Sequence, residues 1–229
     1  YRGRVPNPSG RRPIVFDRAQ AFSDLPIKLP CGRCIGCRLE KSRQWALRCV
    51  HEASLHEHNF FVTLTYDDEH LPELGSLKLS DFQKFMKRLR KHYGAGVRFF
   101  HCGEYGEATN RPHYHAILFN LALKDAKGFG GHNGHRYYTS DTLSEKWGMG
   151  HVIIGRCSFE SAAYVARYCL KKVTGERAEA HYRVVDPSSG RVVGHRAPEY
   201  ATMSRRPGIG AEWYRRFKAD LDKDFITLR

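Results

Sequence analysis

Apolar positions recur along this chain with two periods. Asn59-Phe-Phe-Val-Thr-Leu-Thr-Tyr66 is a run of aromatic and β-branched residues closed by Asp67-Asp68, which predicts a strand and a turn. Residues 97–103 and the stretch from Arg111 to Asn120 give two more strands, and His151–Ile154 a fourth. Helical spacing appears over residues 38–58, where Leu39, Trp45, Cys49, Val50 and Leu55 form a loose apolar stripe. It returns with Phe82, Phe85, Met86, Leu89 and Tyr93, opened by a capping box at Ser80–Gln83 and stopped by Gly94. Ser158 is a good N-cap for a third helix through Lys172, rich in alanine, and a last helix starts near Ala211.

The segments between are less regular. Residues 1–30 read as an extended basic arm with several prolines, poorly ordered at its start, with a short strand at Ile14–Phe16. Residues 120–150 read as a mobile Gly-rich insertion with a short helix near Asp141–Trp147 and no assignable role. Residues 183–193 form a hairpin, and Met203–Gly210 a basic Gly-rich loop suited to holding phosphate. Strands 97–103 and 112–119, joined by a polar turn, make an antiparallel hairpin. The fold class is α+β, an antiparallel central sheet with helices packed on it. The natural division is an N-terminal segment 1–58 and a core 59–229.

Charge sharpens this picture. Thirty-eight Lys and Arg against 24 Asp and Glu give a net charge of +14 and a pI near 9.6. That surplus favours a polyanion, nucleic acid first. Basic residues gather around one region in sequence: Arg98, Arg111, Arg167, Lys171, Lys172, Arg205 and Arg206. No run of apolar residues is long enough to span a membrane, and no secretory signal is evident. The seven cysteines do not resemble a secreted disulfide framework. Three of them form Cys31-x-x-Cys34-x-x-Cys37, a knuckle suited to a structural Zn²⁺, with Cys49 or His51 as fourth ligand. The alternative is three thiols on a turn.

The chemistry lies in His113-Tyr-His115. Alternate strand residues share a face, so the imidazoles project together roughly 6–7 Å apart, able to hold one divalent cation or simply to pack at a strand end. The hairpin can bring Glu104 beside them as a third ligand, with Glu107 as competitor. Tyr164 and Tyr168 stand four apart on a helix, one turn above each other, with Lys171 close to the same face. Such pairs often only pack. Together with the histidines they suit phosphoryl chemistry: a tyrosine attacks a phosphodiester whose oxygen Mg²⁺ or Mn²⁺ polarises.

These residues resemble the HUH endonucleases, and in particular the rolling-circle replication initiators of small single-stranded DNA phages of the gokushovirus type (Microviridae). The likeness runs from about Cys31 to Gly210. It rests on Phe61-Val-Thr-Leu-Thr-Tyr66, Gly103-Glu104-Tyr-Gly, Arg111-Pro-His113-Tyr-His115, Tyr164-Val-Ala-Arg-Tyr168-Cys-Leu-Lys171-Lys172 and Met203-Ser-Arg-Arg-Pro-Gly.

The resemblance implies His113, His115 and Glu104 as metal ligands and Tyr164 and Tyr168 as nucleophiles. It implies nicking and rejoining of single-stranded DNA at a phage origin through a 5′-phosphotyrosine, in the cytoplasm of a bacterial host. Lys171 would assist the tyrosines, and Arg111, Arg167, Lys172, Arg205 and Arg206 would contact DNA. No Walker motif is present, so a host helicase and polymerase are the expected partners. A transposase or relaxase shares the chemistry but not the Cys cluster. A non-catalytic zinc-dependent DNA-binding protein is the alternative of another class.

Overall fold

The computed structural model describes residues 1–32, 34–132, 135–168, 172, 173 and 175–221. Contacts divide the chain into two units, residues 1–38 and 39–229, so the division falls earlier than 58/59. The first unit folds back on itself through isolated bridges, Arg2 with Ile14 and Gly3 with Ala21, and Arg12 lies over the Phe22 ring. The expected extended arm with a strand at 14–16 is therefore a pair of bridged segments.

The second unit is built on a seven-stranded sheet. Its strands are β1 (Asn59–Tyr66), β2 (Arg98–Tyr105), β3 (Pro112–Phe119), β4 (Lys127–His132), β5 (His135–Thr139), β6 (Gly150–Arg156) and β9 (Tyr200–Met203). They run β4-β5-β6-β1-β3-β2-β9, with every paired neighbour antiparallel. β7 (Arg183–Val185) and β8 (Val192–His195) form a separate hairpin, as the sequence predicts for 183–193.

Helices cover both faces of the sheet. Val62, Leu64, Tyr66, Tyr114, Ala116 and Leu118 pack against α2 (Leu79–Tyr93) and α3 (Asp141–Trp147) through Phe82, Phe85, Leu89, Leu143 and Trp147. On the other face Phe100, Cys102, Ile117 and Phe119 meet α1 (Ile35–Ala53) and α4 (Phe159–Tyr168) through Ala46, Cys49, Ala162, Val165 and Ala166. Each such large apolar side chain contributes about 1.5–3 kcal/mol on burial. The two-residue strand period therefore locks the register, because a slip of one would turn both sets over. α5 (Arg177–Tyr182) and α6 (Ala211–Leu221) complete the described helices.

Several expectations change. α1 starts at Ile35 and ends at Ala53 instead of spanning 38–58. The capping box at Ser80 does not form: Lys78 is the cap and Ser80 lies inside α2. The approach to α2 is held instead by two tyrosines. Leu77 N–H donates to Tyr105 Oη at 3.0 Å, and Lys78 N–H to Tyr114 Oη at 2.8 Å. The Gly-rich insertion is not a loop but the β4–β5 hairpin at one edge of the sheet. Its glycines hide the strand signal because they remove the alternating side chains that periodicity reads. β9, four residues long, also escapes the pattern, although it is the opposite edge. Gly150 has φ +136°, and a Cβ there would sit 2.4 Å from Thr65 O, so only glycine lets β6 close on β1.

Candidate active site

β3 lies between β1 and β2, and this places its histidines. Thr63 pairs with His115 on one side, and Cys102 pairs with His115 and Glu104 with His113 on the other. His113, His115, Glu104 and Thr63 thus share the face that α4 covers.

Glu104 Oε1 lies 2.7 Å from His115 Nε2, and both side chains are buried. Thr63 Oγ1 lies 2.9 Å from the other ring nitrogen, Nδ1. Phe61, next but one on β1, stacks nearly parallel to the His115 ring at 5.6 Å. His113 is oriented differently. Its Nδ1 lies 2.6 Å from the Arg111 carbonyl oxygen, which can only accept. Nδ1 must then carry the proton, which leaves Nε2 as the lone-pair atom of a neutral ring. A Cβ at position 106 would come within 2.9 Å of His113 Cε1, so Gly106 makes room for this ring.

α4 brings the tyrosine. Its start is fixed reciprocally: Ser158 Oγ accepts from Ser161 N–H at 3.2 Å, and Ser161 Oγ from Ser158 N–H at 2.8 Å. With Ala162, Val165 and Ala166 buried on the sheet, Tyr164 is turned to the cleft, 36% exposed. Its ring stands edge-on to His115 at 5.1 Å and to Phe61 at 6.0 Å. Tyr168 ends α4; its side chain, and all of Lys171, lie outside the described residues.

Two clefts meet here. One of about 600 Å³ is lined by Glu104, Glu107, His113, His115, Tyr164 and Arg167. The other, about 1210 Å³, runs along β1, β6 and β5 past Phe61, Thr63 and Arg156. His115 and Tyr164 line both.

The remaining candidates divide. Glu107 lines the smaller cleft but is exposed, whereas Glu104 touches His115. Arg167 lines that cleft too; Lys172, Arg205 and Arg206 are exposed outside its lining. Arg111 is tied to Asp68 at 2.7 Å and to the Tyr66 carbonyl at 3.1 Å. Arg98 belongs to the scaffold: it pairs with buried Glu52 and donates to Pro207 O at 2.8 Å. Thr63 and Phe61 are site residues that the sequence reading passed over. The one available signal was a polar Thr63 within an apolar strand, opposite a histidine.

Cys31, Cys34 and Cys37 come together, their sulfurs all within 4.8 Å of one another. Cys34 N–H points at Cys31 Sγ (3.3 Å) and Cys37 N–H at Cys34 Sγ (3.5 Å), the backbone-to-sulfur pattern of a metal knuckle. The two suggested fourth ligands are occupied elsewhere. Cys49 is buried in the core against the sheet, and His51 stacks on Trp213 of α6 at 3.7 Å. Among the described residues this is the one group of metal-ligating atoms gathered so closely; His113 stands further from the His115–Glu104 pair. No described helix is long and apolar enough to cross a membrane.

Comparison with known proteins bears on this site. The family model for the phage replication-associated protein ORF2 matches residues 59–173. The chain is 36% identical over 178 residues to replication-associated protein VP4 of Bdellovibrio phage phiMH2K, covering 73% of this chain and 56% of that protein. It is 36% identical over 210 residues to replication-associated protein ORF2 of Spiroplasma virus 4, covering 87% and 61%. With replication-associated protein ORF4 of Chlamydia phage 1 it shares 35% over 166 residues, 69% and 41%. The chain thus spans about half the length of the relatives it matches. No solved structure matches it. The matched segment holds β1, β2, β3 and α4, the elements that carry Thr63, Glu104, His115 and Tyr164, and the chain belongs to the replication-associated protein ORF2 family.

Proposed function

We propose that the chain is a metal-dependent endonuclease and strand transferase of the HUH type, which nicks and rejoins single-stranded DNA to start and end rolling-circle replication. The observation that carries the reading is the meeting of Glu104, His115 and the Tyr164 ring in one cleft. The +14 charge and the phage relatives support DNA as the substrate.

His113, His115 and Glu104 suit a hard divalent cation in kind, two neutral imidazoles and a carboxylate, and would hold Mg²⁺ or Mn²⁺. When bound, such an ion supplies electrostatic stabilisation of the charge that develops on a phosphodiester oxygen. The chain's own residues do the rest. Thr63 fixes the His115 ring from behind and the Arg111 carbonyl fixes the His113 tautomer. Arg167 neutralises a phosphate entering the smaller cleft. The Tyr164 oxygen bonds to phosphorus as the bond from phosphorus to the 3′ oxygen breaks. The tyrosine gives up its proton and the departing 3′ oxygen takes one, leaving a 5′-phosphotyrosine and a 3′-hydroxyl. The phosphotyrosine ester keeps the bond energy, so a returning 3′-hydroxyl reverses the step. Tyr168, one turn away, serves as second nucleophile and Lys171 assists. The setting is the cytoplasm of the bacterial host, with a host helicase and polymerase as partners. Cys31, Cys34 and Cys37 hold a separate structural Zn²⁺.

The test incubates the chain with a labelled single-stranded origin oligonucleotide, with Mn²⁺ or with EDTA, and analyses the products by mass spectrometry. The expected result is metal-dependent cleavage with a covalent adduct on Tyr164 or Tyr168. Cleavage insensitive to EDTA, or no tyrosine adduct, overturns the reading. DNA binding without any cleavage would favour a zinc-dependent DNA-binding protein.

A further inference from the structure

The larger cleft has no part in the chemistry just described, and the β4–β5 hairpin has had no role. We propose, building on the reading of a single-stranded DNA substrate, that β5, β6 and the hairpin form a stacking wall for the bases of the strand on one side of the scissile phosphate.

The geometry is that of a platform. Phe61 on β1, Ile153 on β6 and Tyr137 on β5 line one cleft on the α4 face of the sheet. Tyr138, the next residue, faces the other way and packs on the core beneath α2 and α3. The floor is left uncovered: Ile153 is 38% exposed, and Phe129 on β4, 57% exposed, lies 6.4 Å from the Tyr137 ring. Gly155 puts no side chain over Phe61. Exposed aromatic rings over an apolar floor are what unstacked nucleobases seek, and every base has a face to offer them.

Charge selects the occupant. Arg136 and Arg156 stand at the cleft and Glu160 is the carboxylate in its lining, which leaves a cationic balance suited to a phosphate backbone. Continuity gives the same answer, since His115 and Tyr164 line this cleft and the smaller one alike. A strand with its reacting phosphate at Tyr164 would have nucleotides on both sides, and this cleft takes those on one. Its volume, about 1210 Å³, exceeds the roughly 300–1,000 Å³ that holds a drug-sized ligand.

The experiment measures binding by fluorescence anisotropy in EDTA, so nothing is cut. The probes are labelled oligo-dT and an abasic oligomer with the same phosphates. Wild type is expected to bind oligo-dT more tightly. Tyr137→Ala should weaken oligo-dT about tenfold and leave the abasic probe unchanged, whereas Tyr137→Phe, which keeps the ring, should bind as wild type. Phe129→Ala, at the exposed edge, should show the same base-dependent loss even if Tyr137→Ala fails to fold. Arg136→Ala should weaken both probes alike. Equal losses on both probes for the aromatic variants, or none, overturn the proposal. Cleavage by the wild type is scored separately. Nicking with no base-dependent loss rejects the stacking wall alone, and a base-dependent loss without nicking rejects the endonuclease reading alone.

Discussion

Thr63 and His115 face each other across the β1–β3 ladder, with Thr63 Oγ1 2.9 Å from His115 Nδ1. A hydroxyl there aims the ring and settles which nitrogen points at Glu104. Removing it should loosen a ligand without touching the fold. Thr63→Val is expected to lower nicking 10- to 100-fold, while Thr63→Ser retains most of it. Rates titrated against Mn²⁺, with circular dichroism for the fold, check this; a Thr63→Val rate equal to wild type refutes the orienting role.

The tyrosines separate by function. A circle copied once must be cut again while its 5′ end is still bound to the first tyrosine, so a second nucleophile is needed. Tyr164→Phe and Tyr168→Phe should each keep some nicking of an oligonucleotide, and the double variant none. Neither single variant should release closed unit-length circles. If one completes replication and release like wild type, the missing tyrosine only packs.

His101 sits on β2 facing away from the site, fully buried and stacked on Phe82 at 3.5 Å. Burial pushes its pKa down to about 3, although Thr202 lies 2.8 Å from Nδ1. Below pH 6.5 the unfolded chain takes up a proton that the folded chain refuses until about pH 3. The stability held above pH 6.5 is therefore lost as the pH falls, by up to about 1.4 kcal/mol per unit. Urea midpoints between pH 7 and pH 4 should show this slope, and His101→Phe should flatten it. An unchanged slope in the variant would assign acid sensitivity to other groups.

Glu52 joins three parts of the fold. One carboxylate oxygen pairs with Arg98, and the other accepts from Gly210 N–H at 2.8 Å. Glu52→Ala strands the largely buried Arg98 guanidinium and should cost about 3–5 kcal/mol. Replacing both partners, as in Glu52→Gln with Arg98→Met, should cost less than Glu52→Ala. Chemical denaturation of the set decides, and a loss under about 1 kcal/mol for Glu52→Ala would show that the pair is dispensable.

The thiol knuckle should retain Zn²⁺ through purification. Elemental analysis is expected to find one zinc per chain, lost in Cys34→Ser and not removed by the metal exchange that loads Mn²⁺. Freely reactive thiols at all three positions in the native protein, without zinc, would end this assignment.

The sequence was legible where periodicity and chemistry coincided. β1 appeared with its observed bounds, α3 as Asp141–Trp147, and the β2–β3 hairpin was enough to bring Glu104 to His115. What it concealed has physical reasons. Gly128, Gly130 and Gly131 carry no side chain to alternate, so β4 looked like a loop. Ser80 fitted a capping box, yet the tyrosine hydroxyls of β2 and β3 hold the segment ahead of α2, a contact between residues more than 25 apart. Arg111 looked like a free cation because nothing local announces Asp68. Tertiary partners decided these cases.

The order of strands in the sheet separates what can change from what cannot. β3 lies inside, laddered on both sides, and each residue from His113 to Phe119 has neighbours on β1 and β2. β4 lies at the rim and pairs with β5 alone. A descendant of this chain can lengthen, shorten or reshape the rim hairpin without disturbing a ladder that the histidines depend on. New target sequences can be acquired at the border while the reaction is inherited intact at the centre.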